Sequence, residues 1–302
     1  MKSLLQYSIT PALVALLLGA CRRSPAESRL KPWEDFSGAN ALAHVQHLVD
    51  FGPRPPGSDA IEKSRAYIDN ELRRLGWQVE QQRFTEKTPR GETAFVNLIA
   101  RFHSQGRTAP SFLLCSHYDT KVFDNIRFVG ANDGGSSTGV LLELARVLAA
   151  HPALATKIEL IFFDGEEAYE KFSETDGLYG SRYFANQLSA SAKQFRGGLL
   201  FDMVGDRSLK VTLPLDSPPQ MAHDLFAAAE ALKLRDDFTY YDSAITDDHT
   251  PLNAVGIPTL DIIDFDFAWW HTADDTVDKL SAESLQVVGS VAAYYLSQFA
   301  LK

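Results

Sequence analysis

Short apolar runs alternate with amphipathic helical patterns along most of this 302-residue chain, and no other feature restricts its fold as much. The apolar, β-branched runs lie at 77–84, 95–102, 111–117, 158–163, 198–204 and 258–263. Apolar residues recur at helical spacing over 41–49, 61–75, 138–150, 179–188, 220–232 and 281–299. Strands that alternate with helices pack as an α/β structure. We therefore predict a three-layer α/β sandwich, in which helices flank a central mixed, largely parallel sheet.

The first twenty-one residues differ in composition from the rest of the chain. Lys2 precedes an apolar run over 9–18, and small residues then lead to Cys21. A positive start, a short apolar segment and small residues at its end are typical of an export signal. The run is shorter than the roughly 20 apolar residues that span a bilayer. The tetrad over 18–21, Leu-Gly-Ala-Cys, resembles the cleavage box of bacterial lipoproteins, in which the cysteine is lipidated.

These features predict three parts: a lipoprotein-type signal over 1–21, a polar tether over 22–36 and a single domain over 37–302. We expect an exported protein that is lipid-anchored through Cys21, on the periplasmic or cell-surface side of a bacterial membrane. The second cysteine of the sequence, Cys115, follows an apolar run and is expected to be a buried thiol without a disulfide partner.

Net charge and composition limit the kind of partner. A net charge of −10 and an isoelectric point near 5.3 argue against a broad basic face for nucleic acid or anionic lipid. With 45% hydrophobic and 23% charged residues, the chain has the composition of a globular protein. A small or peptidic substrate is therefore the expected partner, and membrane contact is expected only through the lipid.

Acidic residues and histidines follow the ends of several predicted strands. His117 and Asp119 follow one strand, Glu166 and Glu167 follow the next, and Asp202 lies at the end of another. Open α/β sheets place their sites at the carboxyl ends of their strands. Neighbouring carboxylates repel each other unless a cation or a proton relieves them. The sequence therefore predicts a metal site at this edge of the sheet.

The residue types at these positions favour zinc. A catalytic zinc takes three nitrogen or oxygen ligands from the protein and keeps one position open. Asp133, Glu167 and His271 supply such a set. Glu166 is adjacent to a ligand but is expected to point differently, which leaves its carboxylate free for proton transfer.

The same residues resemble the pattern of the zinc aminopeptidase superfamily, which runs His-x-Asp, Asp, Glu-Glu, Asp, His. Within it, the chain is more similar to the animal-type glutaminyl cyclases. An extra segment over 168–177 follows the acidic pair, the stretch 246–251 resembles the cyclase Asp-Asp-His-x-Pro motif, and 270–272 matches Trp-His-Thr. The resemblance extends over about 52–299.

The resemblance implies a zinc-dependent glutaminyl-peptide cyclotransferase, which closes an N-terminal glutamine into pyroglutamate and releases ammonia. It implies one zinc per chain on the three ligands above and a proton shuttle at Glu166. Asp202 and Asp248 are implied as further active-site acids. Between the adjacent acids Asp247 and Asp248, the second is favoured because it directly precedes His249.

Three residues are expected to contact the substrate. Trp270 would close over the glutaminyl side chain and hold it in a folded conformation. Asp261 stands where the family has a histidine after its Pro-x-Leu strand, and Phe172 stands where the family has a tryptophan beyond the acidic pair. Both departures are expected to change the pocket wall or its hydrogen bonds while the chemistry persists.

Two other functions use the same residues. A two-metal aminopeptidase would hold its second ion on His117, Asp119 and Asp202 and would use Glu166 to activate water. A binding module without catalysis would not require a free carboxylate beside the metal. The cyclotransferase is the expected function, in a monomer whose partners are peptides or proteins with N-terminal glutamine.

Overall fold

The computed structural model describes residues 31–102, 111–188 and 192–302. The predicted export signal, Cys21 and the first part of the predicted tether lie outside these ranges. Within them, no helix combines the length and the apolar character that a membrane span requires.

The described residues form eight strands in two sheets. The strands are β1 (Trp77–Thr88), β2 (Gly91–Phe102), β3 (Phe112–His117), β4 (Ile158–Phe163), β5 (Gly197–Asp202), β6 (Val211–Leu213), β7 (Phe238–Tyr240) and β8 (Thr259–Ile263). The main sheet has the order β1-β2-β4-β3-β5-β8. The pairs β4–β3, β3–β5 and β5–β8 are parallel, whereas β1–β2 and β2–β4 are antiparallel. The predicted mixed, largely parallel sheet is confirmed.

All six predicted helices are present, and shorter ones accompany them. The α-helices are α1 (Pro32–Asp35), α2 (Gly38–Asp50), α3 (Asp59–Arg74), α4 (Ser137–Ala149), α5 (Pro152–Ala155), α6 (Tyr179–Leu188), α7 (Pro219–Ala231), α8 (His249–Ala254) and α9 (Ala282–Tyr295). Local sequence sets several of their ends. The Ser281 hydroxyl accepts a hydrogen bond from Ser284 N and so caps α9, and Gly76, with φ +91°, follows the end of α3.

Helices cover both faces of the main sheet. In β3, Leu114 packs with α2, α4 and α9 on one face, whereas Leu113 and Cys115 pack with α6 and α8 on the other. Every residue of β3 and β4 is buried, as expected for strands covered on both sides. The three-layer sandwich therefore follows from strands that are apolar on both faces.

The packed part of the chain begins earlier than predicted. Residues 32–35 form α1, and the Phe36 ring is buried against Gly289 of α9. A Cβ atom on Gly289 would lie 2.1 Å from that ring, so the glycine makes room for it. The compact unit starts at Lys31, so residues 31–36, which the sequence assigns to the tether, belong to it. Strands β6 and β7 were also missed, because three residues are too few for a recognisable pattern.

Candidate active site

The acidic and histidine side chains predicted from the strand ends converge at one edge of the main sheet. His117 is the last residue of β3, Asp202 is the last residue of β5, and β4 ends immediately before 164–167. Because β3, β4 and β5 are parallel neighbours, their carboxyl ends meet at the same edge.

Asp133 reaches this edge from the tight turn that precedes α4. Its neighbour Gly134 has φ +76°, and a Cβ atom there would lie 2.7 Å from the Asp119 carbonyl oxygen. The Asp275 carboxylate accepts hydrogen bonds from Asn132 N at 2.7 Å and from Asp133 N at 3.1 Å. A glycine and a buried acceptor therefore hold the turn against the loop after β3.

Asp133, Glu167 and His271 form a group with metal-ligand geometry, here called the triad. Their ligand atoms lie within 4.8 Å of one another. His271 Nε2 is 3.3 Å from Asp133 Oδ2 and 3.2 Å from Glu167 Oε2. Asp133 Oδ2 is buried, and none of the described residues hydrogen-bonds it. One imidazole and two carboxylates, one with an unsatisfied oxygen, fit the ligand preferences of zinc.

The electrostatics of the triad favour positive charge. Burial lowers the pKa of His271, but its contacts with Asp133 and Glu167 outweigh burial and raise the pKa to about 10. The imidazole lone pair therefore strongly attracts a proton or a metal ion. His271 also has a left-handed backbone, with φ +56°, which is uncommon outside glycine and occurs preferentially at functional sites.

His117 links the remaining acids behind the triad. Its Nε2 lies 3.2 Å from Asp202 Oδ1 and 3.3 Å from Asp133 Oδ1, and its Nδ1 lies 3.4 Å from Asp119 Oδ1. Asp133 thus directs one oxygen toward each histidine. Burial lowers the pKa of His117, but the three carboxylates raise it well above its usual value. His117, Asp133 and Asp202 form a further group whose ligand atoms lie within 4.8 Å of one another.

The two adjacent glutamates have different surroundings. The Asp119 carboxylate accepts hydrogen bonds from Glu166 N at 3.1 Å and from Glu167 N at 3.4 Å. Glu167 Oε1 accepts a hydrogen bond from Lys121 N at 3.1 Å, which orients the Glu167 carboxylate toward Asp133 and His271. In the described ranges, no side chain hydrogen-bonds the Glu166 carboxylate, which lies on the cavity wall. Glu166 is thus held by its backbone while its side chain stays free.

Burial and neighbouring charge adjust the protonation of Glu166. Burial raises its pKa, the charge of His117 lowers it, and Glu167 and Asp247 raise it again, so that the net pKa is well above the usual value. A raised pKa favours the protonated form, so the Glu166 carboxyl group holds a proton more tightly than an exposed glutamate does.

A single cavity brings together most of the residues predicted from sequence. Its wall includes the triad, Glu166, Phe172, Asp202, Met203, Ile245, Thr246, Asp247, Ile263, Phe265 and Trp270. Asp248 and Asp261 are buried and are not on this wall. Of the two adjacent acids it is Asp247 that lines the cavity, contrary to the expectation for Asp248, because consecutive residues before α8 face different directions.

Two supporting residues escaped the sequence analysis. Arg54 is fully buried, and its guanidinium donates to the carbonyl oxygens of Tyr118, Val129 and Gly130 at 3.1, 2.7 and 2.9 Å. Asp275 holds the turn that carries Asp133. The only sequence signal for Asp275 was an acid shortly after His271, and Arg54 lies too far from the strand ends to stand out.

The chain is similar in sequence and in structure to known proteins. Residues 97–296 match the model of peptidase family M28. The chain is 30% identical to a glutaminyl-peptide cyclotransferase-like protein of Bos taurus, over 82% of this chain and 72% of that protein. The crystal structure of a glutaminyl cyclase from an Acidobacteriales bacterium matches with TM-score 0.82 and 34% identity, covering 91% of this chain and 97% of that one. A Zn-dependent exopeptidase from Parabacteroides distasonis matches with TM-score 0.80 and 28% identity, covering 87% and 99%.

The role of Asp275 can be tested by Asp275→Asn. Asparagine keeps one acceptor oxygen and turns an NH₂ group toward a backbone N–H, so the turn that carries Asp133 should shift. We expect Zn²⁺ affinity, measured by competition with a chromophoric chelator, to fall about 10- to 100-fold. The exposed neighbour Asp274, changed to Asn, is the matched control and should retain wild-type affinity. Equal affinities for the two variants would contradict this role.

Proposed function

The chain belongs to peptidase family M28, and we propose that it acts within that family as a glutaminyl-peptide cyclotransferase. This transferase closes the N-terminal glutamine of a peptide into pyroglutamate and releases ammonia. The cyclotransferase and cyclase relatives support this reaction. The observation that carries the proposal is the free, buried Glu166 carboxylate, which lies beside the triad on the wall of the same cavity.

We assign one catalytic zinc per chain to Asp133, Glu167 and His271. When bound there, zinc supplies Lewis-acid polarisation of the substrate side-chain amide. The exposed fractions of the two histidine side chains support zinc binding at the triad over binding at the group around His117. The His271 side chain is 20% exposed and lies on the cavity wall, whereas that of His117 is 1% exposed and lies behind it.

The reaction requires a proton carrier more than it requires water. A bond forms between the α-amine nitrogen and the side-chain amide carbon, and the bond from that carbon to the amide nitrogen breaks. The attacking amine loses a proton and the departing nitrogen gains one, so one group that accepts and returns a proton suffices. Glu166 is placed for this task because its carboxylate is free, buried and adjacent to the triad.

Aromatic and acidic side chains complete the proposed substrate site. Trp270 stacks on His271 with ring centroids 4.3 Å apart and contacts Phe265 at 5.2 Å, yet it remains 40% exposed. Its free face can press the glutaminyl side chain into the folded conformation that ring closure needs. Phe172 lies on the same wall.

Three acids are proposed to act at or behind this wall. Asp202 lies on the wall, where it can receive the substrate amine. Asp248 contributes from behind, because its backbone N–H donates to Asp247 Oδ1. Asp261 is proposed to act through the buried groups next to it rather than by direct contact with the substrate.

One observation favours the aminopeptidase alternative. Asp133 directs separate oxygens toward His117 and His271, as a ligand bridging two metals would.

Incubation of purified protein with a glutaminyl peptide and with a leucyl amide separates the two functions. We expect ammonia release from the first and no hydrolysis of the second. An N-acetylated glutaminyl peptide is the control and should release no ammonia, since its blocked nitrogen cannot attack. Hydrolysis of the leucyl amide without ammonia release from the glutaminyl peptide would identify a peptidase.

The acidic pair provides a sharper test of mechanism. We expect Glu166→Gln to reduce turnover about 100-fold or more while zinc is retained, because only the proton carrier is lost. Glu167→Gln should lower zinc content as well, because a ligand is lost. Both changes are nearly isosteric, so each variant is the control for the other in metal analysis and in cyclisation assays. Near wild-type turnover of Glu166→Gln would move the proton shuttle to Asp202 or Asp247.

Export and lipid anchoring at Cys21 are also proposed, with residues 1–21 as signal, a tether after it and the catalytic domain on the periplasmic or cell-surface side. We expect Cys21→Ser to release the protein from membranes, measured by fractionation, without loss of specific activity. Cys115→Ser, which changes the buried thiol of β3, is the control and should leave membrane association unchanged. Membrane association that survives Cys21→Ser would count against lipidation there.

A further inference from the structure

Another group of potential metal ligands extends from the cavity wall into the protein, where β8 meets the start of α8. It consists of Asp247, His249 and Asp261, here called the distal cluster, whose ligand atoms lie within 4.8 Å of one another. His249 Nδ1 is 3.5 Å from Asp261 Oδ2. The cluster shares no residue with the triad, and all three of its side chains are buried.

The polar atoms of this cluster lack the partners that burial normally requires. Asp247 Oδ2, His249 Nδ1 and both carboxylate oxygens of Asp261 are buried, and none of residues 31–102, 111–188 and 192–302 hydrogen-bonds them. Buried polar groups without hydrogen bonds are costly and uncommon in native proteins. Each of the three buried side chains carries an unpaired polar atom, and one ligand atom of each lies within 4.8 Å of the others, which indicates a ligand between them.

The charge around the cluster indicates the sign of that ligand. The charged groups that act most strongly on Asp261 are all carboxylates, namely those of Asp202, Asp216, Asp247 and Asp248. In the part of the chain that the structure describes, no lysine or arginine forms an ion pair with any member of the cluster. A bound cation would both neutralise the acids and satisfy the unpaired atoms.

We propose that the distal cluster binds a divalent cation that accepts mixed nitrogen and carboxylate ligands, with Zn²⁺ as its representative. Ligand atoms about 2.0–2.1 Å from a tetrahedral ion are about 3.3 Å apart, close to the separation of His249 Nδ1 and Asp261 Oδ2. Ca²⁺ and Mg²⁺ prefer oxygen ligands throughout, so a site that contains an imidazole selects against them. Asp247 also lines the active-site cavity, which gives the ion a route of entry.

This site would connect metal binding to the catalytic cavity without a direct role in the reaction. An ion on the distal cluster holds the Asp247 carboxylate in place on the wall that faces the substrate. Asp261 and His249 would thus be positioning residues, which act through Asp247.

Metal counting by equilibrium dialysis of metal-free protein against Zn²⁺ tests the proposal independently of cyclase activity. We expect two equivalents for the wild type, one for Asp261→Asn, one for Glu167→Gln and none for the double variant. Asp264→Asn is the matched control and should retain two, because Asp264 is equally buried near the end of β8 but accepts hydrogen bonds from Lys210 N and Asp266 N. One equivalent in the wild type, or two in Asp261→Asn, would overturn the proposal.

Two further measurements test whether the loss of an ion results from misfolding of the variant and whether the second ion lies at a different group of ligands. In the Glu167→Gln background, Zn²⁺ should raise the midpoint of thermal unfolding when Asp261 is present, and this shift should be lost in Asp261→Asn. Without metal, adding Asp261→Asn to the Glu167→Gln variant should not lower the midpoint of thermal unfolding, because the substitution removes a buried charge. If Asp202→Asn, and not Asp261→Asn, removes the second equivalent, the ion lies beside His117 and the distal cluster does not bind it.

Discussion

The crowding of many buried carboxylates at the C-terminal ends of the strands of one sheet is the constraint that shapes this site. Mutual repulsion and loss of solvation oppose such crowding unless positive charge or hydrogen-bond donors compensate for it. Two histidines provide part of that compensation: His271 lies between Asp133 and Glu167, and His117 lies among Asp119, Asp133 and Asp202. The proposed metal binding and proton transfer both depend on this balance.

Backbone donors also hold the carboxylates in place. Asp119 receives the N–H groups of Glu166 and Glu167, and Asp275 receives those of Asn132 and Asp133. These contacts tie loops after different strands to each other, so the ligands keep their positions although they come from distant parts of the chain. Rigid support of this kind is what a site needs when its ligands must meet a metal with little reorganisation. The Glu166 carboxylate, by contrast, accepts no hydrogen bond from the side chains of the described residues, which is why we propose it as the proton carrier.

The same ligand set can serve hydrolysis or cyclisation, so the wall around it decides the reaction. A hydrolase must admit and activate water, whereas ring closure of a glutaminyl group uses two parts of one substrate and needs them folded together. In the proposed function, the surface for that folding is Trp270, which stacks on His271 and is 40% exposed. Asp247, rather than Asp248, is the acid that faces the same space. The distal cluster bears on this wall because Asp247 belongs to both.

The sequence by itself determined the alternation of strands and helices and the acidic residues at the strand ends. It also singled out Asp133, Glu167 and His271, whose ligand atoms the structure brings within 4.8 Å of one another. Those features are local: residue spacing reports which side of a strand or helix is buried, and polar residues directly after apolar strands mark the functional edge of an α/β sheet. Only the tertiary structure decided that Asp247 lines the cavity, that Asp261 lies buried beside His249, and that Phe36 packs on Gly289. Each of these depends on contacts between elements or on the direction of a side chain within a short turn. Contacts between elements and side-chain directions in short turns are not encoded in local periodicity, because they arise only when separate elements pack together.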